Sequence, residues 1–203
     1  MVKIGIMDYK AGNIRSVLRA IQYLGAEGRI SSDPEVLKAC DKLIIPGDGE
    51  AFAVMEVLKT TGLETFLREF YASGKPLLGI CIGCQIVLDF SEERSTPCLG
   101  FIPGKVVRFP RISGLKVPHM GWNQVTHGNA HPIFYKVPEH APCYFVHSYY
   151  PLPQEKVNTI AWTEYGITFP SAIQKDNLIA LQFHPEKSAD SGLQMLANFI
   201  YAI

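Results

Sequence analysis

The chain reads as a single α/β domain with a mostly parallel central sheet flanked by helices, and with antiparallel strands added in its C-terminal half. Three observations predict this. Near-continuous apolar runs at residues 2–7, 42–45 and 76–80 lack polar alternation, as strands covered on both faces of a parallel sheet do. Helical patterns lie between those runs, giving βαβ crossovers. Beyond about Arg94 short strand-like segments take over, separated by prolines and glycines.

Each element follows from its residues. After the first strand a polar turn at residues 8–13 leads to Ile14, Val17, Leu18 and Ile21, whose spacing gives a helix with one apolar face. Gly28-Arg29-Ile30 suits a short strand, and Asp33-Pro34-Glu35 is a helix start with proline in the first turn. The strand 42–45 is stopped by Pro46-Gly47, and helical stretches at about 51–59 and 63–72 precede the strand 76–80. A helix is expected from about Ile82 to Phe90. Strand segments follow at 105–109, 122–125, 144–147, 159–162, 171–174 and 178–182, their order suggesting antiparallel hairpins added to the sheet, and residues 193–203 form a closing helix. With 203 residues, no repeat and no linker, one domain over 1–203 is expected.

Composition excludes several function classes. Nineteen basic residues balance nineteen acidic ones, which leaves no electrostatic footprint for nucleic acid or an anionic membrane. No apolar run approaches membrane-span length, and the start Met1-Val2-Lys3-Ile4-Gly5-Ile6 reads as a strand rather than a secretory signal. An odd cysteine count, five, does not suggest a disulfide framework, so a reducing, cytoplasmic setting is expected.

The sharpest local feature is Gly79-Ile80-Cys81-Ile82-Gly83, between a strand and a helical pattern. Small residues on either side of a nucleophile permit the strained strand-to-helix turn that projects it from the carboxyl end of a sheet. Exposed N–H groups at the helix start favour a negative sulfur, which can attack a carboxamide carbonyl and form a thioester. A cysteine without such neighbours reads as a small buried hydrophobe; glycine on both sides at a strand end favours the nucleophile for Cys81. Cys81-Ile82-Gly83-Cys84 is also a C-x-x-C after a strand, the context of a dithiol redox motif, but that reading leaves Gly79 and the downstream histidine without a role. A zinc site is weaker, since Cys40, Cys98 and Cys143 are scattered and no second C-x-x-C stands at ligand spacing. The second feature is Gln182-Phe183-His184-Pro185-Glu186, after an apolar strand. A cysteine nucleophile needs a base for its proton, and the base needs an acceptor to fix its tautomer; His184 and Glu186 supply both within one turn. By itself His-x-Glu is commonplace, and its weight comes from coexisting with the turn at Cys81.

These two motifs, in this order, resemble those of the class I (triad) glutamine amidotransferases, a family of flavodoxin-like fold. Asp8-Tyr9 with Gly12-Asn13, Pro46-Gly47-x-Gly49, Val117-Pro118-His119-Met120-Gly121-Trp122-Asn123 and Phe145-Val146-His147-Ser148-Tyr149 are similar to segments of the glutaminase subunits of imidazole glycerol phosphate synthase, over essentially the whole chain. The resemblance implies a triad of Cys81, His184 and Glu186, with backbone around Gly47, Asp48 and Gly49 contributing an oxyanion hole. It implies L-glutamine as substrate, held by Gln85, Glu93 and the segment His147, Ser148 and Tyr149. It implies a (β/α)₈-barrel cyclase as heterodimer partner, with Asn13, Trp122 and Lys187 at or near the interface, and neither cofactor nor metal. Without the resemblance Gln85 reads as an exposed helix residue, Glu93 as a solvated charge, His147 as a strand histidine, Trp122 as core and Lys187 as a surface charge. Ammonia freed into neutral water becomes ammonium, so a biosynthetic glutaminase needs a dry conduit to its acceptor's site. A paralogous glutaminase serving another acceptor, such as a surface sugar, would use the same triad, and the dithiol reading of Cys81 and Cys84 is the rival of a different class. Two departures from the family stand out: Lys10 where glycine is usual, and Asp48 where a small apolar residue is usual. A carboxylate aimed into the hole would oppose the oxyanion, so Asp48 is expected to point away.

Overall fold

In the computed structural model, which describes residues 1–10, 13–128 and 131–203, the local signals become elements in the order the sequence suggests. Gly12 of the quoted motif, and with it part of the turn 8–13, lies outside the described residues. The first apolar run forms β1 (Lys3–Met7). Behind it α1 (Ile14–Tyr23) buries Val17 and Ile21, two of the positions its spacing marked, together with Ala20, while Ile14 and Leu18 are partly buried. After β2 (Glu27–Ser31), Asp33 caps α2 (Pro34–Lys38) by accepting the Glu35 N–H at 2.9 Å, with Pro34 in the first turn, where a missing N–H goes unused. β3 (Lys42–Ile45) leads to α3 (Ala51–Thr61), and Gly62, at a left-handed φ of 76°, ends that helix and starts α4 (Leu63–Ala72). β4 (Leu77–Ile80) and the short α5 (Ile82–Gln85) follow. The second half holds β5 (Phe90–Ser91), β6 (Thr96–Pro97), β7 (Gly104–Arg108), β8 (His119–Val125), β9 (Ala141–His147) and β10 (Tyr149–Pro153). It continues with β11 (Thr159–Glu164), β12 (Thr168–Lys175) and β13 (Leu178–Leu181), and α6 (Ala189–Tyr201) closes the chain.

A seven-stranded sheet runs in the order β11-β12-β13-β4-β3-β1-β2. From β13 to β2 every pairing is parallel, while β12 and β11 add antiparallel at one edge. Successive residues of the inner strands serve opposite faces, as the two-residue side-chain period requires: Ile44, Leu78 and Ile80 join one apolar cluster, Leu43, Ile45 and Leu77 the other. Burial on both faces explains why β4 and β13 carry no polar residue at all.

Two expectations need correcting. Not all of the later strands extend the central sheet: β10-β7-β5-β6 form a four-stranded sheet and β8-β9 a separate ribbon. Strand chemistry marks the segments but not which edge each one pairs with. The helix expected to reach Phe90 stops at Gln85. Its continuation is captured by a distant segment: the carbonyls of Ile86, Val87 and Leu88 accept from the N–H groups of Leu99, Phe101, Ile102 and Gly100. Tertiary hydrogen bonds there replace the helical ones, which periodicity cannot register.

Candidate active site

In a parallel sheet the carboxyl ends of neighbouring strands open on the same edge. The turn bearing Cys81 leaves β4, the 46–49 loop leaves β3, Tyr9 lies just after β1, and His184 lies just after β13, so chain segments far apart in sequence meet across adjacent strands. Cys81 adopts φ 55° and ψ −105°, a conformation rare for a side-chain-bearing residue, as a strained strand-to-helix turn demands. The flanking glycines make that turn possible. A Cβ on Gly79 would sit 2.5 Å from the Gly83 carbonyl oxygen, and one on Gly83 would sit 2.1 Å from that of Ile45. The Cys81 N–H donates to the Leu181 carbonyl at 2.8 Å, pinning the turn to β13.

His184 is 1% exposed, its Nδ1 is 2.9 Å from Glu186 Oε1, and the Glu186 side chain is equally enclosed. Asn13 Nδ2 donates to the same carboxylate oxygen at 2.8 Å, and Ser188 Oγ donates to the His184 carbonyl at 2.6 Å, so the carboxylate and the backbone that carries the imidazole are each held by a second residue. His184 Nε2 is buried without a well-formed hydrogen bond among the described residues, yet the Cys81 sulfur is near enough to act on it. Burial alone would lower the proton affinity of this imidazole. The Cys81 sulfur and the Glu186 carboxylate outweigh burial and push its pKa up to about 10.

A cavity of about 280 Å³ opens beside the thiol, walled by Asp48, Gly49, Ile82, Gln85, Glu93, Pro118, Val146, His147, Ser148 and Tyr149. All five residues expected to hold substrate line it. Gln85, expected on local grounds to be exposed, is 4% exposed; its NH₂ donates to the Tyr149 carbonyl at 2.9 Å and to Gln182 Oε1 at 3.0 Å, leaving Oε1 for a ligand. Glu93 accepts the Ala51 N–H at 2.8 Å, and burial raises its pKa. In the 46–49 loop the Gly47 carbonyl accepts the Ile82 N–H at 3.4 Å, so a carbonyl occupies the N–H that follows the sulfur. Asp48 is exposed and forms part of the cavity wall rather than turning fully away. Lys10 takes the left-handed conformation that glycine would, φ 65°, with its N–H donating to Asp8 Oδ1 at 2.9 Å.

The profile of class-I glutamine amidotransferases matches residues 6–203. This chain belongs to that family. Within it, the subunit HisH of imidazole glycerol phosphate synthase from Nitrosococcus oceani is 43% identical, over 98% of this chain and 97% of its own. The same subunit from Aromatoleum aromaticum is 44% identical over 98% of both chains. A solved structure of a glutamine amidotransferase shares the fold at a TM-score of 0.76 and 20% identity, covering 98% of this chain and 99% of that one.

In this amidotransferase the three residues expected at a partner interface part company. Trp122 is 57% exposed, not core, and packs edge-on to Tyr144 with ring centroids 6.1 Å apart; Lys187 Nζ lies over the Tyr144 ring, 5.7 Å from its centroid. Asn13 instead turns inward to Glu186. Cys84 is wholly buried, and burial together with the charge of Cys81 raises its pKa well above the ordinary thiol value, which leaves the dithiol reading without an accessible second thiolate. Among the described residues no helix is long and apolar enough to cross a membrane. Sequence reasoning gave no role to Tyr9, Gln182 or His119. Tyr9 is buried and its hydroxyl donates to the Pro46 carbonyl, tying the end of β1 to the 46–49 loop. All three stood inside quoted motifs, but nothing local showed which way they faced.

Proposed function

We propose that this amidotransferase hydrolyses L-glutamine at Cys81, with His184 as base and acid and Glu186 as its orienting carboxylate, and that the ammonia passes to a (β/α)₈-barrel cyclase of histidine biosynthesis. The observation that carries this is that Cys81, on the cavity wall at the carboxyl end of β4, is backed by His184 at the end of β13, whose Nδ1 meets Glu186 at 2.9 Å. His184 Nε2 takes the Cys81 proton while Glu186 holds Nδ1 and steadies the imidazolium. The sulfur attacks the side-chain carbonyl carbon of glutamine, and the carbonyl electron pair moves onto oxygen. As the tetrahedral species collapses, His184 returns the proton to nitrogen, the C–N bond breaks, and ammonia leaves behind a glutamyl thioester. Water deprotonated by His184 then attacks the thioester, releasing glutamate and restoring the thiol. Glu93 and Gln85 Oε1 suit the substrate's ammonium group, and the 147–149 segment suits its carboxylate end.

The resting arrangement supports a gated enzyme. An oxyanion forming beside Cys81 would meet the Gly47 carbonyl, which also occupies the Ile82 N–H. Turning the Gly47–Asp48 peptide over would free that donor and present the Asp48 N–H as a second. Gly47, at φ 141°, opens this peptide and Gly49, at φ 132°, stands one residue beyond it, and glycine crosses such conformations at little cost. The face of exposed Met120 and Trp122 with half-buried Lys187 is the docking surface in this reading, and partner binding there is what turns the peptide; cytoplasmic thiol conditions suit its free cysteines. Glutamine turnover should rise steeply when cyclase and its ligand are added, and equal rates with and without them would count against the gate. Covalent labelling by 6-diazo-5-oxo-norleucine should map to Cys81 and be competed by glutamine; labelling elsewhere would sink the assignment.

A further inference from the structure

One buried side chain beside the thiol has no part in the scheme above. Gln182 is completely buried, two residues before His184, and its Nε2 lies 3.8 Å from Cys81 Sγ. The two ends of a carboxamide have nearly the same shape, so its partners must decide which end meets the sulfur. Here they do. The Tyr149 carbonyl can only accept, and it accepts from Gln85 Nε2 at 2.9 Å and from His147 Nδ1 at 2.7 Å. Gln85 must therefore present its NH₂ to that carbonyl. The other hydrogen of the same NH₂ reaches Gln182 at 3.0 Å, and Gln182 must answer with Oε1. Only its own NH₂ is left to face Cys81.

The far end of the network has the same fixed polarity. With Nδ1 protonated, His147 Nε2 accepts from His119 Nδ1 at 2.9 Å, and His119 Nε2 in turn accepts from Asn123 Nδ2 at 3.2 Å. Burial keeps both imidazoles neutral, lowering His119 to about 4 and His147 to about 3, so protonation does not reverse the chain at neutral pH.

We propose that Gln182 is a further catalytic residue of this amidotransferase: its NH₂, locked in orientation by Gln85 and the Tyr149 carbonyl, donates to the Cys81 sulfur and stabilises it once its proton has left. The thiol also lies 3.8 Å from the Val146 carbonyl, to which it can donate at rest. Transfer of the proton to His184 removes that bond and leaves a carbonyl facing an anion. The Gln182 bond survives the transfer and strengthens, because a donor gains more from a charged acceptor than from a neutral one. The proposal rests on Cys81 being the nucleophile.

The pH profile of Cys81 alkylation by iodoacetamide tests it, with the modified residue identified by peptide mapping. The titratable groups around the sulfur are His184, Tyr9 and Cys84, with Asp48, Glu93 and His147 on the cavity wall, and Gln182→Met replaces none of them. In Gln182→Met, which keeps the length but removes the donor, the alkylation midpoint should move up by about one pH unit or more. Its kcat for glutamine should fall further than KM rises. A folded Gln182→Met with an unshifted profile would overturn the proposal. If that variant does not fold, the isosteric Gln182→Glu retains the acceptor for Gln85 while turning an oxygen toward the sulfur; an unshifted midpoint there overturns it equally. Failure of the underlying reading looks different: Cys81→Ser would keep its glutaminase activity in the complex.

Discussion

The two loops that flank the cavity are built on opposite plans, although both leave inner strands of the same parallel sheet. The turn after β4 is buried, its N–H is bound to β13, and its glycines are there because backbone atoms leave no room for a methyl group. The loop after β3 is exposed at Asp48 and Gly49, and a Cβ built on Gly49 meets nothing within 4 Å. One loop is therefore a fixture that sets where the sulfur stands. The other has space and a glycine-rich backbone, and its Gly47 carbonyl rests on the Ile82 N–H. The contrast teaches that in the proposed mechanism the nucleophile is preorganised while charge stabilisation is left adjustable, so control belongs to the loop that is loosely packed.

The sharpest break would come at the fixed side. Cys81→Ala should lower glutamine turnover in the complex by about 10⁴-fold or more, with the thermal midpoint nearly unchanged. Surviving activity would reduce the turn to scaffolding. Next in size is a matched pair of glycines. Gly83→Ala forces a methyl group to 2.1 Å from the Ile45 carbonyl oxygen and should cost about 3 kcal/mol in urea denaturation. Gly49→Ala, strained only by its φ of 132°, should cost about 1 kcal/mol and act mainly on turnover. Equal losses would erase the distinction between the loops.

The wall opposite the turn belongs with the fixed side, and pH reports on it. Burial depresses His119 and His147 below their ordinary value of 6.5, so the folded state binds fewer protons there than the unfolded chain. Their contribution to stability is complete above about pH 6.5 and is lost as pH falls through about 4 and about 3. Chemical denaturation across that range should show the acid limb, and His119→Gln should flatten it. The smallest effect is expected at the adjustable side: Asp48→Ala removes a charge from beside the developing oxyanion. Turnover without partner should rise a few-fold, while stability stays within about 0.5 kcal/mol. A fall in turnover would mean that Asp48 assists the loop instead of restraining it.

How far the sequence reached can be judged at single residues. Gly79, Cys81 and Gly83 announced their turn because its requirements are local: a strand before, a helix after, and no Cβ on either side. The inner strands were readable for the same reason, since burial on both faces leaves a run of apolar residues that needs no partner to recognise. The helix after Cys81 was misjudged at its end, because Leu99, Gly100, Phe101 and Ile102 supply the hydrogen bonds that stop it. Asn13 was expected at or near a partner interface, and nothing in its neighbourhood showed that its side chain reaches Glu186, a contact across 173 positions of sequence.

By itself, then, the sequence determined the alternation of strands and helices, the position of the nucleophile turn and the candidate base and carboxylate, all of which depend on neighbours within a few residues. Only the tertiary structure decided that the Gly47 carbonyl rests on the Ile82 N–H, that Asn13 holds Glu186, and that Gln182 turns its NH₂ to the sulfur. The physical reason is that a hydrogen bond is directional and takes its partner from wherever the packed chain provides one, whereas periodicity records only the face a residue shows.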